Sequence, residues 1–183
     1  MVPGLPGGWA CGTYRGSLRR MILQAKQGPH APSIALLRRE LLQAVRNAEL
    51  PRGHLVAPPA SRARRWQGWH LAEELTQGLA RNLAWPVLRP FRRARERPAQ
   101  AGLGAAARRA NLHGSFRWRR PWFASEGAEG AAIRRVYVVD DVLTTGGTFL
   151  ECARLFAQLG VSDVRPLVLA WVPDASLHTS DNS

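Results

Sequence analysis

The amino-acid sequence predicts an α/β domain in which helices flank a mainly parallel, twisted β-sheet. Three observations predict it. The chain has 183 residues, which is the length of one ordinary domain. Its hydrophobic residues amount to 45% and its charged residues to 21%, which are the proportions of a globular protein. Apolar runs of strand length alternate with helical patterns, and strands separated by helices pair in parallel through right-handed crossovers.

Two helices, a strand and a third helix are predicted in the first half of the chain. A short helix is expected over residues 17–26, and a helix of about four turns is expected from Ser33 because apolar residues recur there at helical spacing. These apolar residues are Ile34, Leu37, Leu41 and Val45. Residues 54–57 are typical of a short strand that ends at two prolines. The third helix has its apolar face at Ala72, Leu75, Leu79 and Leu83.

The second half of the chain adds a strand, a helix and a further strand. Residues 136–139 form a continuous apolar run, which is typical of a strand buried on both faces of a parallel sheet. A helical face follows at Phe149, Ala153, Phe156 and Leu159. Gly160 is expected just after the helix end, and residues 167–170 supply the next strand. Parallel sheets bind ligands at the carboxyl ends of their strands, so a site is expected in the loop after residue 139.

The positive charge of the chain is distributed unevenly along the sequence. Its 26 basic and 13 acidic residues give a net charge of +13, which indicates an anionic partner such as phosphate, nucleic acid or a membrane surface. Residues 81–120 hold eleven basic residues and one acidic residue, whereas residues 121–183 hold four basic and eight acidic residues. We call residues 85–125 the hood and expect a basic loop or small subdomain there, because the segment is rich in proline and glycine. The predicted divisions are an N-terminal extension over 1–13, the domain over 14–175 and a tail over 176–183.

Targeting signals and cysteine motifs are absent from the sequence. No apolar stretch reaches about eighteen residues and residues 1–10 lack a basic leader, so a cytoplasmic protein without membrane insertion is expected. Cys11 and Cys152 stand without a CxxC pair or a cluster of histidines, so neither a zinc site nor a disulfide framework is expected. Both cysteines are predicted to be ordinary thiols.

The segment from Val138 to Thr148 holds the residues most suited to chemistry. It begins where a strand is predicted to end and finishes where a helix is predicted to start. Asp140 and Asp141 can accept hydrogen bonds from a vicinal diol. Two threonine hydroxyls and backbone N–H groups, with two glycines that permit unusual dihedral angles, form an anion site at the positive end of the helix dipole. A diol beside a phosphate describes a ribose 5-phosphate, and the alternative is a glycine-rich turn with two solvated acids.

This segment resembles, nearly residue for residue, the phosphoribosyl diphosphate (PRPP) signature of the type I phosphoribosyltransferases. Three flanking blocks are similar to the ComF family of competence proteins, whose role is associated with uptake of transforming DNA. The blocks are Tyr14-Arg15-Gly16 through Lys26 and Gly28, Gly68-Trp69 with Leu75, and Gln100 through Arg108, Asn111, Gly114 and Phe116. Many members carry a cysteine-rich zinc segment, of which this sequence has only Cys11. The residues that depart from the family pattern in the second block are Gln67, His70 and Leu71.

The resemblance implies a type I phosphoribosyltransferase fold that binds PRPP, with Mg²⁺ held chiefly through the diphosphate. It implies that Asp140 and Asp141 hold the ribose hydroxyls as the catalytic pair. The remaining PRPP-binding residues that it implies are Val142, Leu143, Thr144, Thr145, Gly146, Gly147 and Thr148. A pyrophosphate loop is implied at Ala57, Pro58, Pro59, Ala60, Ser61 and Arg62. No general base stands out, and the candidates by elimination are His54, His70 and His113.

The basic hood has two interpretations. Its arginines alternate with aromatic residues, which suits stacking on single-stranded DNA and salt-sensitive contacts to phosphates. The candidate contacts are Arg92, Arg93, Arg95, Arg97, Arg108, Arg109 and Trp118. A solvated basic face whose tryptophans form a small core has the same composition. Two classes of function therefore stay open: a phosphoribosyltransferase, or a non-catalytic competence module that contacts single-stranded DNA or a DNA-uptake helicase.

Overall fold

The computed structural model of the protein describes residues 7–60, 68–94, 114–119 and 133–173. Within these ranges the helices are α1 (Gly16–Ala25), α2 (Ser33–Asn47), α3 (Leu71–Leu83) and α4 (Gly147–Ala157). The strands are β1 (Trp9–Thr13), β2 (His54–Val56), β3 (Val87–Leu88), β4 (Phe91–Arg93), β5 (Phe116–Trp118), β6 (Arg135–Leu143) and β7 (Asp163–Trp171). Five strands form a parallel sheet in the order β1-β7-β6-β2-β3, and β4 pairs with β5 as an antiparallel ribbon. The predicted α/β fold with a mainly parallel sheet is confirmed.

The two faces of the sheet carry separate cores because successive residues of β6 point in opposite directions. Tyr137 and Val139 pack in the core that α1, α2 and α3 cover. Val136 and Val138 pack in a second core on the other face, which α4 and the β4–β5 ribbon complete. The apolar run of β6 is therefore buried on both faces, as predicted. No helix in the described ranges is long and apolar enough to cross a membrane.

The N-terminal boundary of the domain requires a correction, because Trp9–Thr13 does not lie outside it as an extension. These residues form the edge strand β1, which pairs with β7 so that Trp9 lies opposite Leu167. A hydrogen bond of 2.8 Å from Tyr14 N to Trp171 O continues the pairing towards α1. All five residues of β1 are half-buried, so the strand lacks the alternation by which a sequence pattern indicates a strand.

The described parts of the hood, residues 85–94 and 114–119, pack on the domain. Trp85 is buried, and its ring stacks on Tyr137 at a centroid distance of 5.3 Å. Strand β3 joins the central sheet beside β2, and the β4–β5 ribbon buries one phenylalanine from each of its strands in the second core. Trp85 and β3 therefore belong to the central sheet and its core, which corrects the expectation of a loop or small subdomain for them, whereas the β4–β5 ribbon is a second, separate sheet. The rest of the hood lies outside the described residues.

Candidate active site

The end of β6 and the start of α4 form the turn in which the sequence motif lies. β6 ends at Leu143, residues 144–146 bend, and α4 begins at Gly147, so the order of strand, loop and helix is as predicted. The strand is longer than predicted, however, and Asp140 and Asp141 lie within β6 rather than in the loop after residue 139. Gly146 has a φ of 73°, in the left-handed region that favours glycine, and its carbonyl oxygen accepts a hydrogen bond from Leu150 N at 2.8 Å. Gly147 is the first helical residue and has no positive φ, so only one of the two glycines adopts the unusual dihedral angles.

A pocket of about 40 Å³ lies against this turn. Every residue from 142 to 149 lines it, together with side chains from β6 and β7. The backbone N–H groups in the first turn of α4 have no carbonyl partner within the helix, and the helix dipole adds positive potential there. The turn is therefore suited to a small anion such as a phosphate group.

A larger cavity of about 310 Å³ opens at the carboxyl ends of β2 and β6. Five separate segments converge on it: the end of α1, the loop after β2, the residue before α3, strand β4 and the motif. Its lining residues are Lys26, Pro58, Pro59, His70, Arg93, Asp140, Asp141, Val142, Thr144 and Thr148. The motif and the predicted pyrophosphate loop thus face one cavity of the size that small ligands occupy. Ala57 and Ala60 flank the two prolines, whereas Ser61 and Arg62 lie outside the described residues.

The two carboxylates of the motif have different surroundings. Asp141 is only 4% exposed, and its Oδ1 lies 2.8 Å from Nζ of Lys26. The Asp140 side chain is half-buried, and its Oδ1 accepts a hydrogen bond from Asp141 N at 2.8 Å. Asp140 borders both the pocket and the cavity, so it lies between the two spaces. Lys26 belongs to a block similar to the ComF family, but the sequence predicted no role for it in the site, because no spacing relates position 26 to position 141.

The structure separates the three histidine candidates. His70 lines the cavity and immediately precedes α3. His54 is the first residue of β2, at the end of the strand away from the motif, and it does not line the cavity. Leu71 is buried in the first core, so of the two described departures from the family pattern only His70 reaches the cavity. His113 and Gln67 lie outside the described residues.

The described DNA-contact candidates of the hood occupy both faces of the β4–β5 ribbon. Arg93 lines the cavity, donates a hydrogen bond from Nε to Pro59 O at 3.2 Å, and lies over the Phe116 ring at 5.3 Å. Trp118 also faces inwards and packs on aromatic rings of the second core. Arg92 is exposed on the outer face. The candidates outside the described residues are Arg95, Arg97, Arg108 and Arg109.

The two cysteines are thiols of low reactivity. Cys152 on α4 is fully buried, and this burial, with the nearby charges of Asp140 and Glu151, raises the pKa of its thiol above the ordinary 9.0. Burial, with the charge of Glu40, raises the pKa of Cys11 to about 12. Both thiols are therefore protonated at neutral pH, so neither supplies a thiolate nucleophile.

A parallel sheet with this motif at the carboxyl end of a central strand defines a type I phosphoribosyltransferase fold. Competence protein F of Haemophilus influenzae is 34% identical to the chain over 142 residues, which are 73% of this chain and 59% of that protein. DNA utilization protein YhgH of Escherichia coli O157:H7 is 31% identical over 160 residues, which are 83% of this chain and 66% of that protein. The chain belongs to the ComF family of competence and DNA utilization proteins.

The chain spans about three fifths of the length of the curated relatives it matches. No family model matches it. Among solved structures, the hypoxanthine phosphoribosyl transferase of Trypanosoma cruzi matches 91% of this chain and 71% of its own, with 11% identity and a TM-score of 0.37. That similarity is too low to add to the fold assignment, which rests on the topology and the motif.

Proposed function

We propose that the protein binds PRPP with Mg²⁺ and transfers its ribose 5-phosphate to an acceptor, with release of pyrophosphate, in the uptake or utilization of DNA. The observation that carries this proposal is the position of Asp140 between two spaces, with Asp141 beside it in the wall of the larger one. On one side is the pocket of about 40 Å³ at the turn, which suits the 5-phosphate. On the other is the cavity of about 310 Å³, which leaves room for the ribose and the diphosphate. The names of the relatives support the cellular role.

The described residues divide the binding of PRPP among them. Asp140 and Asp141 accept hydrogen bonds from the ribose hydroxyls, and N–H groups of the turn and of α4 bind the 5-phosphate. Arg93 and the loop at residues 58–59 face the diphosphate. Transfer breaks the bond from ribose C1 to the diphosphate oxygen, which keeps the electron pair, while the acceptor forms a bond to C1. His70 in the cavity wall can take the proton that the acceptor loses.

The residues of the cavity fit a magnesium ion that arrives with the substrate. Two adjacent carboxylates border the cavity, and the described ranges hold no group of three histidine, cysteine or acidic side chains that would form a protein cage. Mg²⁺ is commonly held by one or two carboxylates together with substrate phosphates. Asp140 and Asp141 would therefore hold it with the oxygens of PRPP. When bound, the ion would neutralise charge on the departing pyrophosphate.

PRPP with Mg²⁺ is expected to raise the melting temperature of the protein, because a ligand that binds only the folded chain stabilises it. At a hundred times the dissociation constant the gain is about 2.7 kcal/mol. For a domain of this size that gain corresponds to a shift of about 5 to 10 °C. Differential scanning fluorimetry measures the shift, with ATP and Mg²⁺ as the control ligand.

The absence of a shift at saturating PRPP would overturn the proposal. A shift in melting temperature without pyrophosphate release, across a panel of bases and nucleic acids as acceptors, would support the proposed binding of PRPP and contradict the proposed transfer. That second outcome corresponds to the non-catalytic competence module.

A second candidate function, binding of single-stranded DNA, is favoured by the outer face of the β4–β5 ribbon. Arg92 lies directly opposite Arg117 in the pairing of the two strands, and both side chains are exposed. Neither arginine has an ion pair with an acidic side chain among the described residues. Like charges in directly opposite positions repel each other, and a phosphate group bound between them removes that repulsion. We propose that this arginine pair contacts the phosphate backbone of a single strand.

Replacing Arg92 and Arg117 with alanine is expected to weaken single-stranded DNA binding and its salt dependence. Each lost phosphate contact lowers the slope of log K against log salt by about 0.7, so the double variant loses about 1.4. Fluorescence anisotropy of a labelled oligonucleotide at several salt concentrations measures the slope. The matched control removes two exposed arginines of α1 and α2, Arg20→Ala with Arg39→Ala, and keeps the wild-type slope. Equal slopes for all three proteins would exclude the pair as a DNA contact.

A further inference from the structure

The cavity contains a residue that the proposed mechanism does not use. The chain has 26 basic residues, and Lys26 is the single lysine among them. Its ammonium group lies 2.8 Å from Asp141 Oδ1, and its side chain is 27% exposed, so a ligand can reach it. Lys26 lines the same cavity as Arg93 and the loop with Pro58.

Packing at the end of α1 determines where the lysine side chain begins. Lys26 N donates a hydrogen bond to Ile22 O at 3.1 Å, which closes the last turn of α1. Trp69 Nε1 donates a hydrogen bond to Ala25 O at 2.8 Å, which links this turn to the segment before α3. Ile22 and Ala25 are fully buried in the first core. The lysine stem therefore leaves the cavity wall at a rigid point, and the ion pair with Asp141 directs its end towards the carboxylates.

The chemistry of lysine differs from that of the arginines used elsewhere in the chain. Guanidinium is a planar fork that engages a carboxylate through two parallel contacts, whereas ammonium is a compact charge on a flexible stem. Ammonium has three hydrogen-bond donors. One contact to Asp141 therefore leaves donors that can reach further oxygen atoms in the cavity.

We infer that Lys26 is a catalytic residue that contacts the diphosphate of bound PRPP and neutralises the charge that develops on it, while Asp141 holds the ammonium group in place. This inference rests on the proposed function. The bond from C1 to the diphosphate oxygen breaks with both electrons staying on the oxygen, and Lys26 remains protonated throughout. A fixed positive charge at the leaving group lowers the barrier because charge develops there in the transition state.

The single lysine allows the contact to be tested in the unmodified protein. Acetic anhydride acetylates Lys26, and peptide mass spectrometry measures the rate, with the N-terminal amine as internal reference. PRPP and inorganic pyrophosphate, each with Mg²⁺, are expected to slow acetylation of Lys26 by about tenfold or more. The reason is that a charge-assisted hydrogen bond to the diphosphate protects the amino group from the reagent. Ribose 5-phosphate, which lacks the diphosphate, is expected to leave the rate unchanged. Equal protection by ribose 5-phosphate, or no protection by PRPP at a concentration that stabilises the protein, would overturn the inference.

Lys26→Met removes the charge and keeps an unbranched side chain. Its affinity for PRPP and for pyrophosphate, measured by isothermal titration calorimetry, is expected to fall by about 10- to 100-fold, the effect of one hydrogen bond to a charged group. Its affinity for ribose 5-phosphate is expected to match the wild type. The matched control is Arg20→Met, an exposed position of α1, which keeps all three affinities.

The outcomes separate this inference from the proposed function. A wild-type protein that binds neither PRPP nor pyrophosphate overturns both. A wild-type protein that binds PRPP, with Lys26→Met binding it equally well, overturns only the role of Lys26. An equal loss of affinity for PRPP, pyrophosphate and ribose 5-phosphate makes Lys26 a structural residue and also overturns it. The acetylation result stands even where Lys26→Met does not fold.

Discussion

Replacing Asp140 and Asp141 together with asparagine is expected to largely abolish the stabilisation of the protein by PRPP and Mg²⁺. Asparagine keeps the shape of the side chain but exchanges a charged acceptor oxygen for a neutral amide group. A hydrogen bond to a charged group contributes about 1.5 to 3 kcal/mol, so the loss of two weakens binding by about a hundredfold or more. At the PRPP concentration that shifts the wild type by about 5 to 10 °C, the shift of the variant in differential scanning fluorimetry then falls to about 1 °C or less.

The matched control is Asp163→Asn, which removes a paired carboxylate outside the cavity. Arg135 Nε lies 2.7 Å from one oxygen of Asp163, and Arg165 Nε lies 2.6 Å from the other. Burial by itself raises the pKa of Asp163, but the hydrogen bonds from these arginines outweigh it and hold the pKa below the ordinary 3.8. Asp163 therefore stabilises the fold above a pH of about 4 and loses this effect as the pH falls further. The control protein melts at a lower temperature at neutral pH and keeps its PRPP shift.

If PRPP still raised the melting temperature of the double asparagine variant as much as that of the wild type, the proposal that these carboxylates bind the ribose would be wrong. A shift lost in both variants would point to a general loss of structure rather than to the site. The difference between the two proteins, and not the result for either alone, therefore tests the assignment.

The motif could be predicted from the sequence because its geometry is local. Residues 138–148 contain a strand end, a turn and a helix start, and each of these depends on neighbouring residues. The same holds for α2 and for the centre of β6, whose apolar patterns are long enough to define their period. Strands β1, β3, β4 and β5 are short and pair with residues far along the chain, so tertiary context decides their structure.

The cavity residues outside the motif could not be predicted for the same reason. Lys26, His70 and Arg93 come from three different segments of the chain, and only tertiary packing brings them into the wall of one cavity with the two carboxylates. The family resemblance indicated binding residues only in the motif and in the pyrophosphate loop. The sequence pattern did not predict that α1 packs against the segment before α3. The hydrogen bond from Trp69 to the end of α1 is a tertiary contact of this kind.

Adjacent arginines on β4 link the two candidate functions. Successive side chains of a strand point to opposite faces. Arg93 faces inwards, where it donates to Pro59 O and lines the cavity, whereas Arg92 faces outwards opposite Arg117. Positive charge is thus supplied both to the proposed diphosphate position and to the outer surface. A polyanion on the outer face and a diphosphate in the cavity are therefore compatible in one molecule.

Phe156→Ala is expected to destabilise the protein by about 3 to 5 kcal/mol, the range for truncating a buried phenylalanine. Phe156 is fully buried on α4, and its ring centroid lies 5.0 Å from that of Phe91 and 5.8 Å from that of Trp118. The ring joins the helix that begins at the motif to the ribbon that carries the arginine pair. The melting temperature should fall by about 6 to 20 °C for a domain of this size. Urea denaturation followed by circular dichroism measures the free energy of unfolding.

Leu150→Ala is the matched control, because Leu150 lies on the same helix but is 48% exposed. An exposed substitution away from caps and cores changes stability by about 0.5 kcal/mol or less, so this variant should unfold close to the wild type. If Phe156→Ala lowered the free energy of unfolding as little as Leu150→Ala, the ribbon would not be packed on α4 in solution. Arg92 and Arg117 would then lack a fixed spacing, and the DNA contact proposed for them would lose its structural basis, whereas the motif at the start of α4 would be unaffected.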